Sequence, residues 1–193
     1  HSGARGEREF GARTGTPGNR RAAAPGARGR RFASSQPETD MNPADNTVIE
    51  ALRGTRLAAE LDAEQCAVLA KLIKLRDLKD HEVLVHEGVA DNHLYVVVKG
   101  TLGVVKNAGT ADQILLHSLG AGELAGELGF LDGTERFASL LALGDVRVLS
   151  LEREQLETLI DTHPRVLYRV MRSIIRTVHL VQRRLSMQAT ELS

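Results

Sequence analysis

Apolar and polar positions change rhythm three times along the chain. Between residues 46 and 76 the spacing is helical. Val48, Ile49 and Leu52 fall on one side of a short helix predicted over 46–53. Asp62 followed by Gln65 reads as an N-cap with its capping-box partner. Leu69, Leu72, Ile73 and Leu75 then carry the helical period to about residue 76. From Glu82 the period shortens to two. Runs at 82–86, 93–99, 101–106, 113–119, 136–143 and 146–151 read as strands. Gly88, Gly100, a hairpin tip at 107–110, and Gly120 with Gly122 separate the first four and follow them. The helical period returns at 152–161, where Leu156, Leu159 and Ile160 are predicted to be buried. Pro164 suits a helix first turn. A long helix follows to about residue 187, with Leu167, Met171, Ile174, Val178, Val181 and Leu185 in an a/d stripe.

Short strands at regular spacing, flanked by helices, predict an α+β chain that is mainly β. The core is an antiparallel β jelly roll (a double-stranded β-helix) with N-terminal helices and a long C-terminal helix. The predicted organisation is a disordered tail or upstream extension at 1–40, N-terminal helices at 41–80, the roll at 81–151 and C-terminal helices at 152–193. Gly88, Gly100 and Gly122 are expected at positive φ or at close strand approaches.

Composition sharpens this picture in three places. Aromatic residues are 3% of the chain, with no Trp, so the core must be aliphatic. The formal net charge is zero, but residues 1–40 carry eight Arg against Glu7, Glu9, Glu38 and Asp40. That basic, Gly- and Ala-rich stretch cannot bury enough surface to offset its ordering entropy. A single Cys, Cys66, rules out an internal disulfide and fits a reducing compartment, hence a cytoplasmic location. No apolar run is long enough for a bilayer, so no membrane partner is expected.

The chemistry concentrates in 122–141, GELAGELGFLDGTERFASLL. An acid, Glu127, follows Gly126. A short apolar turn and Asp132-Gly133-Thr134 come next, and Arg136 stands nine residues after the acid. A guanidinium fork holds a phosphate with paired, charge-assisted hydrogen bonds. A carboxylate accepts from a sugar hydroxyl, and N–H groups opening a short helix add to an anion site. Other chemistries lack their residues. His81, His86, His93 and His117 show no His-x-His metal spacing, which places a metal-dependent jelly-roll enzyme far behind. No metal or cofactor is expected.

Gly126-Glu127-Leu128 and Arg136-Phe137-Ala138-Ser139 resemble the phosphate-binding cassette of the cyclic nucleotide-binding domain family. That family includes the catabolite activators and the regulatory subunits of cAMP-dependent kinase. The stretch from Asp91 through Tyr95 to Gly100 resembles its D-x-x-Y signature, with the Asp-to-Tyr gap one residue longer. The resemblance implies that Arg136, Phe137 and Ala138 meet the phosphate of a cyclic nucleotide, with cAMP the favoured ligand. It implies that Gly126, Glu127 and Leu128 meet the ribose, with Glu127 on the 2′-hydroxyl. An ungapped alignment on Arg136 and Pro164 puts Val181 and Gln182 at the base-contacting positions. Phe137 departs from the usual Ala, Ser or Thr. It removes a hydroxyl from the phosphate site and the guanine contact of cGMP-selective relatives.

The expected function is a non-enzymatic sensor that signals through its C-terminal helix to an unknown downstream protein. A homodimer through the 164–187 helix is the expected assembly. The arginines of that helix, Arg165, Arg169, Arg172, Arg176, Arg183 and Arg184, read as a solvated basic face, and DNA is not an expected partner of this chain. Two alternatives remain: a jelly-roll interaction scaffold with a degenerate nucleotide site, and a truncated Crp/Fnr-like transcription regulator.

Overall fold

The computed structural model describes the backbone of residues 43–191 and the side chains of 46–183. The tail expected at 1–40 lies outside the described residues. In chain order the elements are α1 (Pro43–Arg53), a 3-10 turn (Arg56–Ala58), α2 (Ala63–Ala70), β1 (Ile73–Leu78), β2 (Val83–Val85) and β3 (His93–Lys106). They continue with β4 (Ile114–Leu119), β5 (Leu124–Ala125), α3 (Glu127–Asp132), β6 (Ser139–Glu152), α4 (Arg153–Glu157), α5 (Leu159–Thr162) and α6 (Pro164–Glu191). The strands pair in the order β1-β6-β3-β4, with β2 on β6 and β5 on β3, and every pairing is antiparallel. This is the predicted mainly-β α+β jelly roll with flanking helices.

Two strands do most of the joining. The predicted strands at 93–99 and 101–106 are one 14-residue strand, β3, and those at 136–143 and 146–151 merge into 14-residue β6. Gly100 does not reverse the chain. It bends β3 at an irregular stretch of the β3–β6 ladder, with φ +85°. A Cβ at that position would lie 2.5 Å from the Asp145 carbonyl oxygen, so only glycine permits the approach. Gly88 and Gly122 also have the expected positive φ.

The N-terminal helix reading needs one correction. α2 has the predicted cap, with Gln65 N donating to Asp62 Oδ1 at 2.9 Å and Asp62 N donating back to Gln65 Oε1. It ends at Ala70, however, and residues 73–78 form β1 on β6. Ile73 and Leu75 alternate onto the helical core, and Leu78, on the opposite face of β1, joins the roll. Pairing with β6 decides the matter, reinforced by Arg147 gripping the Asp77 carboxylate across the ladder at 2.6 and 2.9 Å. The 152–161 helix is also broken into α4 and α5, and Ile160, expected inside, is exposed.

Apolar burial falls into two clusters. One lies under the helices and includes Leu52, Leu57, Leu69, Leu94, Val96, Phe130, Leu149, Val170 and Ile174. The other fills the roll and includes Leu78, Tyr95, Val97, Leu102, Ala142 and Val148. Alternation along β3 sends Leu94 and Val96 to the first and Tyr95 and Val97 to the second. Among the described residues, Phe130 and Tyr95 are the buried aromatics in an otherwise aliphatic interior.

α6 packs with one face. Val166, Val170, Ser173, Ile174 and Thr177 are buried, and Leu167, Met171, Val178 and Val181 are half-buried. The first part of the a/d stripe, Leu167, Met171 and Ile174, therefore packs on its own domain. The apolar residues that α6 turns outward are Tyr168, Ile175 and Leu180. Leu185 is beyond the described side chains. The arginine face is not simply solvated either. Arg172 and Arg176 both reach the Glu60 carboxylate, and Arg169 donates to the Glu60 carbonyl at 2.9 Å and to Gln65 Oε1 at 2.5 Å.

Candidate functional site: the cassette between β5 and β6

Leu124 and Ala125 form β5 against Val96 and Tyr95 of β3, which brings the following turn over the site end of that strand. Gly126 then takes φ +81°, ψ 17°, and α3 starts at Glu127. The Gly126 carbonyl accepts from Phe130 N at 3.0 Å, and α3 closes on Gly133 at φ +74°. Phe130 anchors this small helix in the helical core. The chain returns through 134–138 to β6. Arg136 is pinned there by its backbone: its N–H donates to the Val89 carbonyl at 3.0 Å, and its own carbonyl accepts from Gly88 N at 2.7 Å.

The Arg136 side chain turns inward, with 4% of it exposed. Its Nε and Nη2 both donate to Asp91 Oδ2, at 3.1 and 2.6 Å. Nη2 also donates to the His93 carbonyl, and Nη1 to the Gly126 carbonyl. These four bonds occupy four of the five guanidinium N–H groups and leave one on Nη1. The Tyr95 ring centroid lies 6.0 Å from Cζ, at the outer limit of a cation–π contact. A Cβ on residue 126 would sit 2.2 Å from Nη1, so glycine is required for the guanidinium to pass.

Asp91 is the hub of this cluster. It faces Arg136 with one oxygen and His93 Nδ1 with the other, at 2.8 Å. Burial alone would push its carboxyl up; the hydrogen bonds and charges of Arg136 and His93 hold it below the ordinary value instead. Burial, followed by the Asp91 charge, pushes the Tyr95 hydroxyl well above its ordinary value. The His93 and Tyr95 rings stack, with centroids 5.9 Å apart and planes 13° from parallel.

Glu127 stands at the other side of the turn, half-buried. Burial raises its carboxyl above the ordinary range, and its own backbone N–H and the Arg136 charge only partly offset this. The carboxylate gripped by Arg136 is therefore Asp91, and Glu127 is not consumed in that pairing. Phe137 is 62% exposed and plugs nothing. Its carbonyl accepts from Lys106 Nζ at 2.6 Å, and Lys106 also pairs with Glu87. Ala138 is buried, and Ser139 Oγ accepts from Glu87 N at 2.9 Å, a contact that ties β6 to the end of β2. Leu128 is exposed.

The cassette thus brings Gly126, Glu127 and Arg136 together with Asp91 and His93. Val181 and Gln182 lie on α6; Gln182 lines a groove of about 410 Å³ with Arg176, His179, Leu180 and Arg183, and no cassette residue lines it among those described. Sequence reasoning took Asp91 only as the start of a family signature, with no role at the site, and His93 as a scattered strand histidine. The signal was available in the motif that runs from Asp91 to Gly100. What the pattern does not show is that its acid faces the cassette arginine.

One chain of polar contacts leads from the cassette to α6. Glu123 Oε2 accepts from Gly120 N at 2.9 Å, and Glu123 Oε1 lies 3.4 Å from the Arg56 guanidinium. Arg56 N donates to the Gly122 carbonyl at 3.2 Å, and the Arg56 carbonyl accepts from Ser173 Oγ on α6.

Comparison with known proteins agrees with this fold. Residues 75–163 match the model of the cyclic nucleotide-binding domain. The N-terminal domain of a transcriptional regulator from Streptomyces coelicolor A3(2) is 30% identical, with a TM-score of 0.58, over 70% of this chain and 94% of that one. This chain belongs to the cyclic nucleotide-binding domain family. It is similar to the CRP-like cAMP-activated global transcriptional regulator of Mycobacterium tuberculosis, at 26% identity over 57% of this chain and 49% of that protein. It thus spans about half the length of the curated relatives it matches. The fold is shared with a cyclic nucleotide-binding domain from Methylobacillus flagellatus, with a TM-score of 0.68 at 20% identity over 78% of this chain and 86% of that one. Among the described residues, no group of His, Cys, Asp or Glu is placed to hold a metal ion, and no helix is long and apolar enough to cross a membrane.

Proposed function

We propose that this domain is a non-enzymatic sensor that binds a 3′,5′-cyclic nucleotide, with cAMP the favoured ligand. The observation that carries the proposal is the buried Arg136 guanidinium, held facing the Gly126–Glu127 turn with one N–H unspent. The cyclic phosphate takes that N–H, with Ala138 small enough to allow the approach. Glu127 accepts from the ribose 2′-hydroxyl. Phe137, on the rim, offers its ring to the base. Val181 and Gln182 of α6 would reach the base only if that helix shifts.

Signalling runs through the Glu123–Arg56–Ser173 contacts. A ligand shifts α6 only if it binds the two arrangements of that helix with different affinity, so closure of the cassette must alter the Gly122–Glu123 end. The outward Tyr168, Ile175 and Leu180 support pairing with a second copy along α6. A separate downstream protein is the other receiver, and the cytoplasm is the proposed location.

Isothermal titration tests the site with the ligand rather than the protein altered. cAMP should bind. Its 2′-deoxy analogue should bind more weakly by roughly tenfold to a hundredfold, the worth of one hydrogen bond to a charged group. Equal affinity for the two would remove Glu127 from the ribose. No binding of cAMP or cGMP would favour the scaffold reading.

A further inference from the structure

We infer that His93 is a positioning residue of the anion site, which through Asp91 makes cyclic nucleotide affinity depend on pH. The inference rests on the proposed binding reading and adds to it a residue and a regulation. Three contacts carry it. His93 touches Arg136 twice, once through its own carbonyl and once through the shared Asp91 carboxylate, whose second oxygen is 2.8 Å from Nδ1. The ring is fixed in orientation by its stack on Tyr95. One-third of the side chain is exposed, so protons can reach it from water while its partner Asp91 is 12% exposed.

The charge count gives the sign. With a neutral imidazole, Arg136 and Asp91 sum to zero, and an anionic phosphate leaves the cluster at −1. With an imidazolium, the free cluster is at +1 and the liganded one is neutral. Protonation also draws the Asp91 carboxylate toward Nδ1 and weakens its hold on Arg136, which frees donors for the ligand. Both effects favour the anion at lower pH, and by linkage the protein takes up protons as the ligand binds. Histidine is the side chain whose ordinary titration falls between about pH 5 and 8.

The other charged and titratable groups around His93 come from every neighbouring element. Asp91 precedes it, Tyr95 follows it on β3, and Glu152 of β6 is its ladder partner. Arg153 and Glu154 of α4 hold Asn92, Arg153 by its backbone N–H and Glu154 by its carboxylate. Arg136 and Glu127 face the cluster from the cassette. Of these, burial pushes the Glu127 carboxyl up and the Tyr95 hydroxyl far above neutrality, so the His93 variants, which leave Glu127 in place, are what separate a histidine step from a Glu127 one.

The test is a cAMP titration at pH 5.5, 6.5, 7.5 and 8.5 with the wild-type protein and His93→Asn, whose amide can replace the Nδ1–H bond without titrating. His93→Gln is a second variant, and thermal melts check that each folds. Wild-type affinity should rise roughly threefold to thirtyfold from pH 8.5 to 5.5, as for one unit charge about 8 Å away at an effective dielectric near 20 with salt screening. Both variants should bind with a flat profile. Wild-type binding without pH dependence, or a slope that survives in both variants, overturns the inference and leaves the binding reading intact. Failure of the wild type to bind cAMP or cGMP at any pH overturns both. A ligand-free arm separates the two ideas further. The Arg136 Nε–H resonance should move with pH in the wild type through a histidine step and stay still in His93→Asn; a still resonance in the wild type refutes the coupling.

Discussion

Two arginine–carboxylate clusters hold this domain together, and they differ in burial. At the cassette, Arg136 and Asp91 are 4% and 12% exposed, and the remaining guanidinium bonds go to backbone carbonyls. On α6, Arg172 and Arg176 are 46% and 57% exposed, and the Glu60 carboxylate they share is 19% exposed. The ionic groups are the same and the energetics are not. A buried pair has already lost its water, so removing one partner strands the other. An exposed pair retains much of its water and contributes little net stability. The first cluster therefore fixes the cassette arginine in place, whereas the second fastens α6 only through partly exposed contacts.

The sharpest way to break this contrast is Arg136→Met. It should cost about 3–5 kcal/mol of unfolding free energy in a urea titration, because Asp91 is left buried and uncompensated. The additional change Asp91→Leu should recover much of that loss. The sign with pH follows from Asp91. Its folded carboxyl is held low, so its contribution is present above the ordinary carboxylate value and is lost as pH falls through the folded one. In the Arg136 variant that acid-dependent loss should disappear. Binding data on this variant alone would therefore mix a lost contact with a damaged fold.

Glu60→Gln should cost far less, about 0.2–1 kcal/mol for each of its exposed pairs, and the cost should shrink in high salt. Its larger effect should be faster proteolytic nicking between α5 and α6. Equal costs for the Arg136 and Glu60 changes would refute the contrast. Smaller still is Glu127→Gln. Burial raises the folded carboxyl of Glu127, so ionisation opposes folding, and that opposition grows as pH rises from the ordinary value through the raised one. At neutral pH the ligand-free variant should melt slightly higher than the wild type, and at pH 4 the gap should close. A lower melting point at pH 7 would mean that the Glu127 carboxylate holds the turn together.

Much of the site was legible because the cassette is local. Gly126, Glu127 and Arg136 lie within eleven residues, and their order carries the geometry. Asp91 was legible only in part. The gap between it and Tyr95 is one residue longer than the motif it resembles, which hid its role as the partner of Arg136. In the fold, Asn92 is drawn outward to Glu154 while Asp91 turns inward to the guanidinium. The strands were found by their period, but Gly100 looked like a turn, and the chain was divided between residues 143 and 146, when both places are bends within continuous strands. The β1 error has a similar root. Leu72, Ile73 and Leu75 continue the helical spacing of α2 on paper, and the choice of a strand is made by β6, which lies about 70 residues away in sequence. Which way a long amphipathic helix faces is also decided by its neighbours. The first half of the α6 stripe that resembled a coiled-coil seam, Leu167, Met171 and Ile174, is occupied by the body of its own domain.

The alternation of β3 has a mechanical meaning. Tyr95 and Val97 pack inside the roll on the side of the cassette, while Leu94 and Val96, their immediate neighbours, press on the helical layer. The strand is a party wall one peptide thick. A push on the ligand side need not travel around the roll to be felt beneath α6: it has only to lean on that wall.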